Sequence, residues 1–134
     1  MLVLDEQLLG RNLEVELRHW YRGPVIFITE LRPATVIKDE AIPTLLRQQR
    51  SPTFVTINAT DFWHKVAINP HFCVICFPLP DSQAGAIPSL LHRVLRHQLF
   101  HTKALRMGKV LRVTQDAVSY YTYRNRHLRM VRLE

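Results

Sequence analysis

Four short apolar runs, separated by stretches of helical pattern, constrain the fold more than any other feature of this sequence. They cover residues 1–4, 25–28, 53–57 and 72–77. All four runs predict strands, and the run at 25–28, which is continuously apolar and rich in β-branched and aromatic residues, predicts a strand that is covered on both faces. Strands that alternate with helices form a mostly parallel sheet with right-handed crossovers. We therefore expect an α/β fold.

The segments between the runs have helical periodicity. Leu9, Leu13, Leu17 and Trp20 recur at spacings of four, four and three, which predicts an amphipathic helix over residues 7–21. Asp39 is placed to cap a second helix, a helical turn is expected from residue 62 to about 66, and residues 85–101 predict another helix. Near the end, residues 109–113 and 118–123 alternate, which predicts a β-hairpin or paired edge strands.

The length and composition predict one compact domain over residues 1–134, because 47% of the chain is hydrophobic. No apolar stretch reaches the roughly 18 residues that a membrane span needs. The opening apolar run is interrupted by Asp5, so it does not resemble a secretory signal. Two cysteines are too few for a disulfide framework. These features predict a cytoplasmic protein without a membrane partner.

The net charge of +7 is unevenly distributed. Residues 1–61 carry eight acids and seven Lys or Arg, whereas residues 62–134 carry three acids and eleven Lys or Arg. This distribution is expected if a polyanion is attracted to a cleft that holds a metal. The alternative is a basic face that is merely solvated.

Acidic and amide side chains follow the predicted strands, where ligands gather in parallel sheets. Asp5 ends the first strand, Asp39 begins the helix after the second, and Asn58 and Asp61 follow the third. Carboxylates that converge repel one another until a proton or a cation relieves the repulsion. Oxygen ligands without His or Cys favour Mg²⁺ or Mn²⁺ over zinc. The alternative is that these residues only cap helices and form turns.

Three short motifs resemble those of PIN-like domains, relatives of the VapC-type ribonuclease toxins of bacterial toxin–antitoxin pairs. They are Leu4-Asp5-Glu6, Lys38-Asp39-Glu40-Ala41-Ile42, and Val55-Thr56 followed by Asp61-Phe62. The resemblance extends in order through nearly the whole chain. It implies a three-layer α/β/α fold, dependence on Mg²⁺ or Mn²⁺, and endonucleolytic cleavage of RNA. It also implies a cognate antitoxin as partner, and a homodimer is considered as an assembly.

The resemblance assigns the catalytic acids by position. Asp5, Asp39 and Asp61 match the family's acids, Glu40 is a neighbouring candidate, and Asn58 stands where the family has a further Asp. Asn58 can offer a carbonyl oxygen to the metal but adds no negative charge, so we expect weaker metal binding. The bound metal would activate water for in-line attack on phosphate. The residues considered for binding RNA are Lys65, Arg93, Arg96 and Trp63, although Trp63 is also suited to the core.

Three further patterns could have either a functional or a purely structural role. Cys73 and Cys76 have metal or redox spacing, yet residues three apart on a strand face opposite ways, which favours burial. His97 and His101 could share a helix face and hold zinc, but no third ligand is evident. The tail carries arginines that suit either an RNA- or partner-binding strand or a charged edge strand. They are Arg124, Arg126, Arg129 and Arg132.

Two function classes are consistent with these patterns. One is a metal-dependent endoribonuclease, a hydrolase acting as the toxin of a toxin–antitoxin pair. The other is a catalytically degenerate PIN-like module that binds RNA or a protein without cleaving it, with Asn58 marking the loss of the site.

Overall fold

A seven-stranded sheet forms the centre of the computed structural model, which describes residues 1–133. The strands are β1 (Leu2–Leu4), β2 (Val25–Phe27), β3 (Thr53–Thr56), β4 (Cys73–Cys76), β5 (Lys109–Val113), β6 (Ala117–Thr122) and β7 (Arg129–Arg132). Their order is β2-β1-β3-β4-β5-β6-β7. The first five are parallel, β6 pairs antiparallel with β5, and β7 pairs antiparallel with β6. The α/β class and the C-terminal hairpin are confirmed.

Helices cover both faces of the sheet and give it three layers. They are α1 (Leu13–Trp20), α2 (Ile42–Arg47), α3 (Ala59–Phe62), α4 (Ile87–Arg96) and α5 (Lys103–Arg106). Leu2 and Leu4 face the core under α1 and α4, whereas Val3 faces the core under α2 and α3. This alternation follows from the two-residue period of a strand. Both faces of β1, β3 and β4 are buried. The run at 25–28, predicted to be covered on both faces, forms the edge strand β2, in which Ile26 is only partly buried.

The prediction that the first helix begins at residue 7 is wrong. Glu6–Leu8 form a 3-10 turn, and α1 begins only at Leu13. Between them Gly10 (φ 77°) and Asn12 (φ 59°) adopt left-handed backbone, which interrupts the helix. Leu9 is consequently 48% exposed instead of facing the core.

Other helix boundaries also differ from the predictions. Asp39 does not cap a helix with its side chain; it is the first residue of a 3-10 turn, Asp39–Ala41, that leads into α2. The helical turn predicted from residue 62 to about 66 is displaced towards the N-terminus, because Asn58 caps α3 at Ala59 and α3 ends at Phe62. Helix α4 ends at Arg96, so His97 and His101 do not share a helix face. A 3-10 turn, Asp81–Ala86, precedes α4.

No helix within residues 1–133 has the length and apolar character needed to span a membrane.

Candidate metal centre

The carboxyl ends of β1 and β3 bring the sequence-predicted site residues to one edge of the sheet. The two strands are parallel and in register, with Leu4 beside Val55. The backbone N–H of Asp5 donates to the carbonyl of Val55 (2.9 Å), which extends the pairing by one residue. Asp5 is thereby held at the end of the sheet and is only 4% exposed.

The hydroxyl of Thr56 links Asp5 to the start of α3. It donates a hydrogen bond to Oδ2 of Asp5 (2.6 Å) and accepts one from the backbone N–H of Asn58 (2.9 Å). Thr56 itself is fully buried. Because a buried hydroxyl with both bonds satisfied has little freedom to rotate, it fixes the orientation of the Asp5 carboxylate.

Asn58 and Asp61 hold each other through two hydrogen bonds. Oδ1 of Asn58 accepts from the backbone N–H of Asp61 (3.1 Å), which caps α3. Nδ2 of Asn58 donates to Oδ2 of Asp61 (2.6 Å). The position that departs from the family pattern is therefore occupied by a group that orients the neighbouring acid.

Asp39 completes this group of polar residues, since the charge of Asp61 helps to raise the pKa of its carboxyl and both residues line one cleft. Both acids, together with Glu40 and Lys65, line a cleft of about 380 Å³ that is floored by Phe62 and Val66. Asp5 is not part of the cleft wall. Asp39 and Asp61 thus share the cleft, whereas Asp5 lies behind Thr56 at the end of β1.

The electrostatics of the site disfavour negative charge. Burial raises the pKa of Asp5, the hydrogen bond from Thr56 opposes that rise, and the charge of Asp39 adds to it. Partial burial also raises the pKa of Asp39, together with the charges of Asp61 and Glu40. Two neighbouring acids with raised pKa values indicate a site where a proton or a cation would relieve the repulsion.

The donor atoms fit a hard divalent cation, because every side chain of the cluster offers oxygen and none offers sulfur or imidazole. The positions of these side chains do not yet form a complete set of metal ligands. Within residues 1–133, no three His, Cys, Asp or Glu side chains are placed to hold a metal ion together. The close pair is Asp39 and Asp61, with Asp5 set back under Thr56.

The basic and aromatic residues proposed for RNA binding are divided between two places. Lys65 lies in the cleft wall beside the acids. Arg93 and Arg96 lie on α4, across the sheet, and Arg93 donates to the carbonyls of Gln115 (2.9 Å) and Leu133 (3.1 Å). Trp63 is half-buried and packs edge-on against Tyr121. The structure therefore brings only Lys65 to the acidic cleft.

The remaining motifs take structural positions. Cys73 and Cys76 face opposite cores, as predicted, and both are free and buried. Burial raises the pKa of each thiol to about 12. Arg129 and Arg132 belong to the edge strand β7. Nδ1 of His97 accepts from the backbone N–H of Leu99 (3.1 Å), which ties that histidine to its own turn.

Comparisons with known proteins leave the family open. No family model, curated protein or solved structure matches this chain. The resemblance to PIN-like domains consequently stays a prediction from the sequence.

Two residues of this edge were not assigned a role by the sequence. Thr56 appears in the Val-Thr motif, but only the structure places its hydroxyl on Asp5. Glu6, directly after Asp5, adds negative charge that helps to raise the pKa values of both Asp5 and Asp39. The sequence did contain an indication for each residue, because both lie next to or near residues that were predicted to form the site.

Proposed function

We propose that this protein is a PIN-like endoribonuclease that uses Mg²⁺ or Mn²⁺ and acts as the toxin of a toxin–antitoxin pair. One observation carries the proposal: Asp5 and Asp61, from two separate segments, are linked at the carboxyl edge of the sheet by hydrogen bonds through Thr56 and Asn58, and the charge of Asp39 raises the pKa of Asp5. Helix capping alone does not explain why Asp5, which caps nothing with its side chain, is buried there.

The residues that would hold the cation are Asp5, Asp39 and Asp61, with the Asn58 carbonyl and Glu40 as further oxygens. A bound Mg²⁺ or Mn²⁺ would supply a water of lowered pKa and charge stabilisation at the scissile phosphate. A cation shared by all three acids requires Asp5 to move towards Asp39 and Asp61. Binding would then replace their mutual repulsion with attraction to one ion.

The protein's own side chains would position the RNA around that centre. Lys65 is exposed in the cleft wall and would pair with a flanking phosphate. Thr56 would keep the Asp5 carboxylate turned to one orientation, since its hydroxyl is itself held by Asn58. The substrate would be single-stranded RNA in the cytoplasm.

Cleavage of a labelled single-stranded RNA, with Mg²⁺ or Mn²⁺ and with chelator, tests the proposal. We expect Asp5→Asn and Asp39→Asn to lower the cleavage rate by on the order of 10²-fold or more, because each removes charge from the metal site. Asp116→Asn is the matched control: it changes an exposed acid outside the cluster and should cleave at the original rate. A cleavage rate that is unchanged by chelator and by Asp5→Asn would refute the proposal.

A second function has its own supporting observation. Both polar atoms of the Asn58 side chain are used within the protein, and three ligands are not assembled in residues 1–133. These facts favour a degenerate module that keeps the fold and binds RNA or a protein partner. RNA binding without cleavage, undiminished by Asp5→Asn, would select this function over the enzyme.

The partner is tested separately. An antitoxin, or a second copy of the chain in a homodimer, would change the hydrodynamic mass of the protein. Co-expression with the product of a small adjoining open reading frame, followed by size-exclusion chromatography with light scattering, distinguishes the two assemblies. Loss of cleavage on complex formation is the result expected for an antitoxin.

A further inference from the structure

A basic pocket lies on the opposite face and the opposite edge of the sheet from the acidic cleft. It is formed where the end of α1, the end of α4 and the start of α5 meet, near the amino end of β3. We call it the Arg106 pocket, and its charged and polar wall consists of Tyr21, Arg22, His92, Arg96, His101, Lys103 and Arg106. The volume is about 440 Å³.

Arg106 is the unusual member of this wall because its side chain is charged and yet 3% exposed. Nε donates to the hydroxyl of Thr53 (3.2 Å), and Nη1 donates to the carbonyl of Phe100 (2.9 Å). These bonds fix the guanidinium, but both acceptors are neutral. The charge of a buried arginine is ordinarily balanced by a carboxylate or another anion.

No protein carboxylate supplies that balance within residues 1–133. The one ion pair in this part of the chain joins Arg11 to Asp81, far from the pocket along the sheet. Nη2 of Arg106 makes no hydrogen bond within residues 1–133, and the Arg106 side chain lines the pocket. A donor of the fixed guanidinium is therefore free to bind a ligand.

The surroundings of Arg106 increase the positive potential instead of neutralising it. Arg22, Arg96 and Lys103 line the same pocket and are exposed, so their long side chains can close on a ligand. None of the pocket's lining residues is acidic. Burial raises the pKa of Tyr21, and the charge of Arg106 acts in the opposite direction, which places that charge close to the phenol.

We propose that the Arg106 pocket binds a small phosphate monoester, with the phosphate on Arg106 and Lys103. A guanidinium fixed in one plane matches the oxygens of a phosphate better than a mobile lysine does. The volume suits a ligand of mononucleotide size, since small-molecule sites commonly measure roughly 300–1,000 Å³. Trp20 and His92, stacked at 4.3 Å in the same wall, offer an aromatic surface to the rest of the ligand.

Titration calorimetry on the whole protein tests this site with three probes: AMP, inorganic phosphate and adenosine, at constant ionic strength. We expect AMP to bind more tightly than phosphate, and adenosine not to bind measurably. Lys103→Gln and Arg96→Gln remove exposed cations and should each raise the Kd for AMP about tenfold. Arg106→Lys, which keeps the charge but loses the planar donor pair, should raise it at least as much.

Two controls make the result decisive. Arg47→Gln removes an exposed arginine from α2, across the sheet, and should leave the Kd unchanged. Asp5→Asn should also leave it unchanged, which separates this site from the proposed nuclease centre. If Arg106→Lys does not fold by circular dichroism, the two exposed variants decide. Absence of AMP binding, equal binding of adenosine, or a Kd unaffected by Lys103→Gln and Arg96→Gln would overturn the proposal.

Discussion

Removing the charge of Asp5 should make the protein more stable at neutral pH, which is the reverse of the usual effect of changing a buried residue. The pKa of Asp5 is raised in the folded protein, mainly by burial, above the value of 3.8 for an unperturbed carboxyl. Between those two pKa values the folded state keeps a proton that the unfolded state has lost. The free energy of unfolding therefore falls as the pH rises through this window.

The slope is set by one proton and reaches about 1.4 kcal/mol per pH unit at most. Below the window the contribution of Asp5 is constant, and above it the full loss of stability persists. Asp39 acts in the same direction, but water screens its exposed side chain and its contribution is smaller. Asp5→Asn removes the main pH dependence of the free energy of unfolding and keeps an oxygen that can accept the hydrogen bond from Thr56.

Urea unfolding at a series of pH values from 4 to 8 measures the effect on wild type, Asp5→Asn and the control Asp116→Asn. We expect the free energies of unfolding of wild type and Asp5→Asn to diverge as the pH rises, with Asp5→Asn more stable at pH 7. Adding Mn²⁺ at about 100 times its Kd should restore about 2.7 kcal/mol to the wild type and the control but not to the variant. Parallel curves for wild type and Asp5→Asn would refute the electrostatic reasoning.

Three other predictions concern the polar network and the thiols. Thr56→Val should lower the free energy of unfolding by about 2 kcal/mol, because it removes a buried hydrogen bond to Asp5 and leaves the N–H of Asn58 unpaired; chemical denaturation measures this. Asn58→Asp can still cap its helix and should tighten Mn²⁺ binding severalfold while lowering stability without metal, as calorimetry and urea unfolding would record. Cys73 and Cys76 should not react with a thiol reagent at pH 8 in the folded protein, because burial raises the pKa of both to about 12; absorbance should report two thiols only after denaturation.

The matched comparison for the valine variant is Thr60→Val, which changes an exposed threonine and should leave stability nearly unchanged. Equal losses in the two variants would contradict the role given to the buried hydroxyl. An aspartate at position 58 that weakened Mn²⁺ binding would place the metal elsewhere. Rapid labelling of the native thiols would indicate that the sheet opens at β4.

The strands were predictable because burial on both faces leaves a strong signal in the sequence. The runs around Val3 and Val74 are apolar without interruption, the run around Phe54 alternates with β-branched threonines, and each forms a strand of the central sheet. The boundary of α1 was not predictable from periodicity, since Leu9 fits the apolar spacing. The left-handed backbone at Gly10 and Asn12 depends on how the chain leaves the sheet.

The sequence predicts which strand ends share one edge of the sheet, but it does not predict the hydrogen bonds made there, and the metal-binding role of these residues stays a prediction. Parallel strands ending in polar residues placed Asp5 and Asn58 at one edge, a consequence of topology alone. The hydrogen bonds that organise the edge depend on side-chain positions across 51 residues of sequence, which no local pattern encodes. The burial of Arg106 was unpredictable for the same reason: residues 101–105 before it are exposed, and only tertiary packing buries it.

The position of β1 between β2 and β3 has a consequence for how the protein folds. Asp5 lies at the start of the chain, yet its partner Thr56 comes after two crossovers, so the acidic edge cannot form before these distant strands have paired. Such nonlocal pairings are slow to nucleate. If they form after the folding transition state, a bound cation will slow unfolding and leave the folding rate unchanged, and the lifetime of the native state will depend on the ion.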